Sequence, residues 1–77
     1  MTRNRAQEAA RNQRAINRCD GLSFSLHYAV ERKDELAISH LGITAMSWEA
    51  KANLPVETRA MFTELWQCAD GALNQES

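Results

Sequence analysis

The segment from Asp34 to Pro55, DELAISHLGITAMSWEAKANLP, carries the clearest fold signal in this chain. Its apolar side chains recur every three or four residues, the spacing that places them on one face of an α-helix. These residues are Ile38, Leu41, Ala45, Trp48 and Ala52. Asp34 can cap the first turn of such a helix, and Pro55 suits the first turn of a following one. The sequence therefore predicts two helices, separated by Asn53-Leu54-Pro55.

The segment after Pro55 is predicted to be a helix with two apolar stripes. One stripe contains Met61, Leu65, Cys68 and Ala72, and the adjacent stripe contains Phe62, Trp66, Ala69 and Leu73. A helix that buries one face needs only one stripe. We expect the surplus apolar surface to bind a second copy of the chain or a partner protein.

The region 22–30, LSFSLHYAV, fits two periods. With a period of two, as in a strand, one face carries Leu22, Phe24, Leu26, Tyr28 and Val30. With a period of 3.6, as in a helix, one face carries Cys19, Leu22, Leu26, Ala29 and Val30. No partner strand is evident, and the only candidate hairpin loop, residues 31–35, lacks Gly and Asn. We therefore favour a helix, with a turn before it at Asp20-Gly21. On this helix Phe24 and Tyr28 lie away from the apolar face, so they need a second partner surface.

The first 18 residues are basic and rich in helix formers. They contain five arginines and one glutamate, a net charge of +4, whereas residues 19–77 contain four basic and nine acidic residues, a net charge of −5. The arginines are Arg3, Arg5, Arg11, Arg14 and Arg18. Two interpretations stay open: an arm that binds phosphates or an acidic partner, and a solvated helix. The predicted organisation is a basic helix or arm (1–18), a helical core (19–73) and a disordered tail (74–77).

The chain has 77 residues, enough for one small domain. Domains below about 80 residues commonly need disulfides, a metal or oligomerisation for stability. We expect an all-α fold, a small helical hairpin or a three-helix bundle, completed by homodimerisation. The expected protein interface consists of Met61, Phe62, Leu65, Trp66, Ala69, Leu73, Phe24 and Tyr28.

The sequence contains no phosphate-binding glycine loop, no nucleophile elbow and no paired-histidine zinc motif. We therefore expect no enzymatic activity and no cofactor. Cys19 and Cys68 are interpreted as small buried apolar groups, and their spacing relative to His27 and His40 does not indicate a metal site. The opening residues lack the apolar run of a secretory signal and no stretch could span a membrane, so a cytoplasmic location is expected.

Residues 35–55 resemble the helix-turn-helix of the phage Cro/repressor family. The matching pieces are Glu35-Leu36-Ala37, Leu41-Gly42-Ile43-Thr44, Ser47-Trp48-Glu49 and Pro55. The resemblance implies a turn at 41–44 between two helices, the second of which would read DNA. The sequence departs from the family in two ways: the stretch from Gly42 to Trp48 is about three residues short, and Lys51 replaces a usual glycine.

These observations predict a small non-enzymatic regulator, adaptor or inhibitor that acts through protein–protein contacts. Seven arginines against two lysines, with twelve alanines, suggest a bacterial or phage gene. The alternative hypothesis is nucleic-acid binding, either through residues 35–55 or through the basic arm, with Arg3, Arg5, Arg11, Arg14 and Arg18 as contacts.

Overall fold

The computed structural model describes residues 2–51 and 53–75, and it contains three α-helices. They are α1 (Thr2–Glu31), α2 (Glu35–Glu49) and α3 (Val56–Asn74). Each helix packs against the other two, and no strand occurs among the residues described. The all-α prediction is confirmed, in its three-helix form. Ala52, the last residue of the predicted apolar stripe, lies outside the described residues.

Helix α1 is continuous through Asp20-Gly21, so the turn expected there was wrong. The reason is a long apolar stripe that continues on both sides of this dipeptide. Its buried residues are Ala15, Cys19, Leu22, Leu26 and Ala29. Asp20 and Gly21 both face solvent, and packing of the stripe overrides their local preference for a turn. The helical interpretation of 22–30 is confirmed, and the basic arm and the core share one helix.

The turn between α1 and α2 depends on Lys33 and Asp34. Lys33 has a positive φ of 56°. Its N–H donates to the Val30 carbonyl at 3.1 Å, and the Asp34 N–H donates to the Ala29 carbonyl at 3.0 Å. This pair of bonds is the Schellman motif that closes many helices. The Asp34 side chain then accepts from the Ala37 N–H at 3.2 Å, which confirms Asp34 as the N-cap of α2.

Helix α2 is also continuous, from Glu35 to Glu49, so the turn that a helix-turn-helix needs at 41–44 is absent. Gly42 is buried inside the helix and packs against Ala69 of α3. The segment is therefore one core helix of the bundle, and the resemblance to the Cro/repressor family does not extend to its fold.

Helix α3 lies against both neighbours and has Pro55 as its N-cap. Near its start, the Thr58 hydroxyl donates to the Asn12 side chain of α1. Because Asn12 lies ten residues beyond the first residue of α1, that helix extends past the end of the bundle, and the molecule measures 52 × 17 × 15 Å. α3 ends at Asn74 with Gln75 as its C-cap, so the helix includes the first residue of the predicted tail; residues 76–77 lie outside the described part.

Candidate interaction surfaces

The structure places the eight predicted interface residues in three different environments. Phe62, Leu65 and Ala69 are buried within the single chain, where they form part of its core. Met61, Trp66 and Leu73 are half-buried at the edges of α3. On α1, Phe24 and Tyr28 are exposed.

The position of Phe62, Leu65 and Ala69 corrects the interpretation of the two stripes on α3. This helix has two neighbours, and each needs its own contact face. Phe62 stacks on Trp48 of α2, with ring centroids 5.5 Å apart, and Ala69 meets Gly42 of the same helix. Leu65 lies beside Cys19 of α1. Each stripe therefore contributes residues to the core of the single chain, although Cys68 is exposed.

A group of exposed apolar side chains that was not predicted lies on α2. Leu36 is 85% exposed, Ile43 is 64% exposed and Met46 is 48% exposed. These residues were not predicted as interface residues, because they lie outside the apolar stripe of α2 that proved to be buried. The sequence does contain a pattern that could have revealed this face. Leu36 and Ile43 are seven residues apart, and so are Ser39 and Met46. A spacing of seven is typical of a helical seam that packs against another helix.

This exposed face continues into a groove between α2 and α3, which we call the α2–α3 groove. It has a volume of about 220 Å³. Ile43 and Met46 line one side, and Trp66 and Leu73 line the other. Asp70 is the only charged side chain in its lining, so the groove is an apolar surface in contact with solvent.

Trp66 is held in place by a carboxylate of α2. Its indole N–H donates to Oε1 of Glu49 at 3.0 Å, and the Thr63 hydroxyl donates to the other carboxylate oxygen. The Arg59 Nε also donates to the Glu49 main-chain carbonyl at 3.3 Å. A carboxylate at a helix C-terminus is unfavourable, because it lies at the negative end of the helix dipole. The hydrogen bonds donated by α3 offset this cost for Glu49. Trp66 is thereby oriented along the groove.

The exposed aromatic residues of α1 lie on the face opposite its buried stripe. Phe24 is 79% exposed. Tyr28 accepts a hydrogen bond from Arg32 at 2.8 Å, and the guanidinium carbon lies 5.2 Å from the ring centroid. Arg32, just after the end of α1, therefore covers part of Tyr28, whereas Phe24 remains exposed in the single chain.

The arginines of the basic arm do not form one cluster. Arg5, Arg11, Arg14 and Arg18 are all exposed. The side chain of Arg3 lies outside the described part of the structure. Arg11 and Arg14 line a groove of about 370 Å³ together with residues 48, 51, 53 and 54 around the end of α2. We call this the basic groove.

The two cysteines differ in environment. Cys19 is buried, as predicted, whereas Cys68 is exposed, so that part of the prediction was wrong. Cys68 lies on the rim of the α1–α3 contact, beyond the reach of the core. Burial raises the pKa of the Cys19 thiol, and the negative charges of Asp20 and Glu64 act in the same direction.

Comparisons with known proteins yielded no match: no protein-family model fits this chain, and neither a curated protein nor a solved structure was found to be similar. Within the described ranges, no three His, Cys, Asp or Glu side chains are grouped so as to hold a metal ion. None of the three helices, as far as they are described, has the length and apolar character needed to cross a membrane.

Proposed function

We propose that this chain is a non-enzymatic helical interaction protein, a regulator or adaptor, and that its working unit is a homodimer formed through α2 and the α2–α3 groove. The observation that carries the proposal is the exposure of three large apolar side chains on one side of α2. They are Leu36, Ile43 and Met46. Large apolar patches on small proteins commonly mark interaction sites.

The spacing of this seam favours a second copy of the same chain as the occupant. Two copies of α2 can pair antiparallel about a two-fold axis near position 41. Leu36 of one copy then lies opposite Met46 of the other, and Ser39 lies opposite Ile43. These are the a-to-d pairs of an antiparallel coiled coil. His40 and Ser47 border the seam, and neither is a carboxylate, a lysine or an arginine that would repel its symmetry mate.

The surface area also favours association. A compact monomer of 8.7 kDa exposes about 4,700 Å². This chain exposes 5766 Å², an excess of about 1,000 Å² over that expectation. A standard interface removes about 800 Å² from each partner. The extended α1 accounts for part of the excess, and pairing of α2 would cover the most apolar part of the surface.

Sedimentation equilibrium at micromolar concentration tests the proposal. We expect a mass of about twice 8.7 kDa for the native chain. Ile43→Glu places a charge at the seam and should give a monomer, because an unpaired charge is costly to bury. Val56→Glu is the matched control, since Val56 is 76% exposed but does not line the α2–α3 groove.

Circular dichroism establishes that both variants keep the helical fold. A monomeric native chain would overturn the proposal. An Ile43→Glu variant that sediments as the same dimer as Val56→Glu would place the interface elsewhere and overturn it as well.

A further inference from the structure

We propose that the basic groove is a second binding site, which takes the phosphate backbone of a nucleic-acid strand independently of its base sequence. The groove lies where α1 passes the end of α2 and the loop into α3. It is separate from the α2–α3 groove, so this proposal does not depend on the proposed dimer.

Three cations line the basic groove, and no carboxylate does. Arg11 and Arg14 come from α1, and Lys51 comes from the loop after α2. The Asn53 side chain adds an amide, and Leu54 adds an apolar wall. Arginine, lysine and asparagine are the side chains that most often contact phosphate oxygens. The groove therefore combines residues far apart in sequence into one cationic surface.

The two guanidinium groups are available for a ligand. In the part of the chain that the structure describes, neither Arg11 nor Arg14 makes an ion pair or a side-chain hydrogen bond within the molecule. Both side chains are exposed, and they project from a continuous helix that fixes their spacing. A planar guanidinium can bind a phosphate through two parallel hydrogen bonds. The site is therefore free to bind an anion without first breaking an internal contact.

Trp48 makes the groove a phosphate site rather than a base-stacking site. Phe62 stacks on its ring, and the Lys51 ammonium lies 5.1 Å from the ring centroid. The ring faces are thus in contact with groups of the protein itself, and they offer no open platform for a base. The same contact positions the Lys51 ammonium at the groove. Recognition through phosphates alone carries no sequence information.

The length of the cationic face favours a strand over a single phosphate. Arg18 continues the face of Arg11 and Arg14, seven residues from Arg11 and about 10 Å further along the helix axis. Charges that extend beyond the groove suit a polymer with one phosphate per nucleotide. A free phosphate ion would use only the groove itself.

The first test is fluorescence anisotropy with a labelled single-stranded DNA of about 12 nucleotides, measured between about 50 and 200 mM salt. Three phosphate contacts predict that the affinity falls roughly 20-fold over this range. A second strand of unrelated sequence should bind with the same affinity. Arg11→Gln/Arg14→Gln should weaken binding at least tenfold and flatten the salt dependence.

Arg5→Gln/Arg32→Gln is the matched control, because it also removes two positive charges, one from α1 and one just after its end, without touching the groove. We expect this variant to bind within about twofold of the native chain. In NMR spectra, the indole N–H signal of Trp48 should shift on addition of the strand. The corresponding signal of Trp66, in the other groove, should not move.

Four outcomes would overturn the proposal. They are no binding at the lowest salt, an equal loss of affinity in both double variants, equal binding of a polyglutamate with the same number of charges, and binding of inorganic phosphate as tight as that of the strand. The third would indicate an acidic protein partner, and the fourth a small-anion site.

Discussion

Gly42 of α2 lies so close to Ala69 of α3 that a Cβ atom at position 42 would come within 3.3 Å of the Ala69 Cβ. Both residues are buried. Small side chains at this crossing allow the two backbones to approach each other closely. Nearby, on the same pair of helices, Trp48 stacks on Phe62. Gly42 and Ala69 also line the α2–α3 groove.

A larger side chain at position 42 should therefore destabilise the fold. We expect Gly42→Val to lower the free energy of unfolding by about 1–3 kcal/mol, because overpacking forces α2 and α3 apart. Gly71→Val is the control, since a Cβ at Gly71 meets nothing within 4 Å. Urea denaturation followed by circular dichroism measures both variants. Equal stability of the two would show that the crossing tolerates a wider spacing.

Lys33 is the only residue other than glycine with a positive φ among those described. An L-residue is strained in this conformation and glycine is not. We expect Lys33→Gly to raise the free energy of unfolding by about 0.5–1 kcal/mol. Arg32→Gly, one residue earlier, should lower the free energy of unfolding. Glycine relieves no backbone strain at that position, and it loses more conformational entropy on folding than arginine does. Thermal denaturation of both variants checks the prediction, which fails if Lys33→Gly is the less stable protein.

The two thiols should differ in reactivity. A thiol-reactive disulfide reagent near pH 8 should modify Cys68 quickly and Cys19 only after unfolding, since Cys19 is buried and its pKa is raised. Only the thiolate reacts, so the raised pKa slows Cys19 further. Spectrophotometric titration of native and denatured protein measures this difference. Two equally fast thiols in the native protein would contradict the burial of Cys19.

The raised pKa of Cys19 also has a consequence for stability. The folded state holds the Cys19 proton more tightly than the unfolded state does, so the protonated thiol favours folding. This contribution to the free energy of unfolding is complete below the ordinary thiol pKa and is lost as pH rises through the raised pKa of the folded state. Denaturant midpoints should therefore decline above pH 9.0. A Cys19→Ala variant, which lacks the group, should show a smaller decline.

Much of the fold could be predicted from spacing alone. The intervals of three and four that begin at Ile38 identified α2, and Asp34 correctly marked its start. The same period identified 22–30 as helix, although alternation fitted that region as well. The turn expected at Asp20-Gly21 was wrong, and the turn that the Cro/repressor resemblance implied at 41–44 is absent. A local turn preference is weak compared with a buried apolar stripe that crosses it.

The candidate sites could be predicted only in part. Trp66, Phe24 and Tyr28 were predicted from their positions on helical faces. Trp66 is half-buried and the other two are exposed, and their role in an interface stays a prediction. The basic groove could not be found in this way, since Arg14 and Lys51 are far apart along the chain. Spacing within one helix gives the angle of a side chain around that helix, and it contains no information about which other helix faces it.

The sequence alone is enough to show that this chain forms helices, where α2 begins, and that five of its seven arginines lie in the first 18 residues. These properties depend on residues a few positions apart, and local geometry is enough to establish them. The packing of the three helices explains why Phe62, Leu65 and Ala69 of both α3 stripes are buried, while Leu36, Ile43 and Cys68 are left exposed. Burial is a property of how three helices are arranged around one another, and that arrangement is a result of packing the whole chain at once.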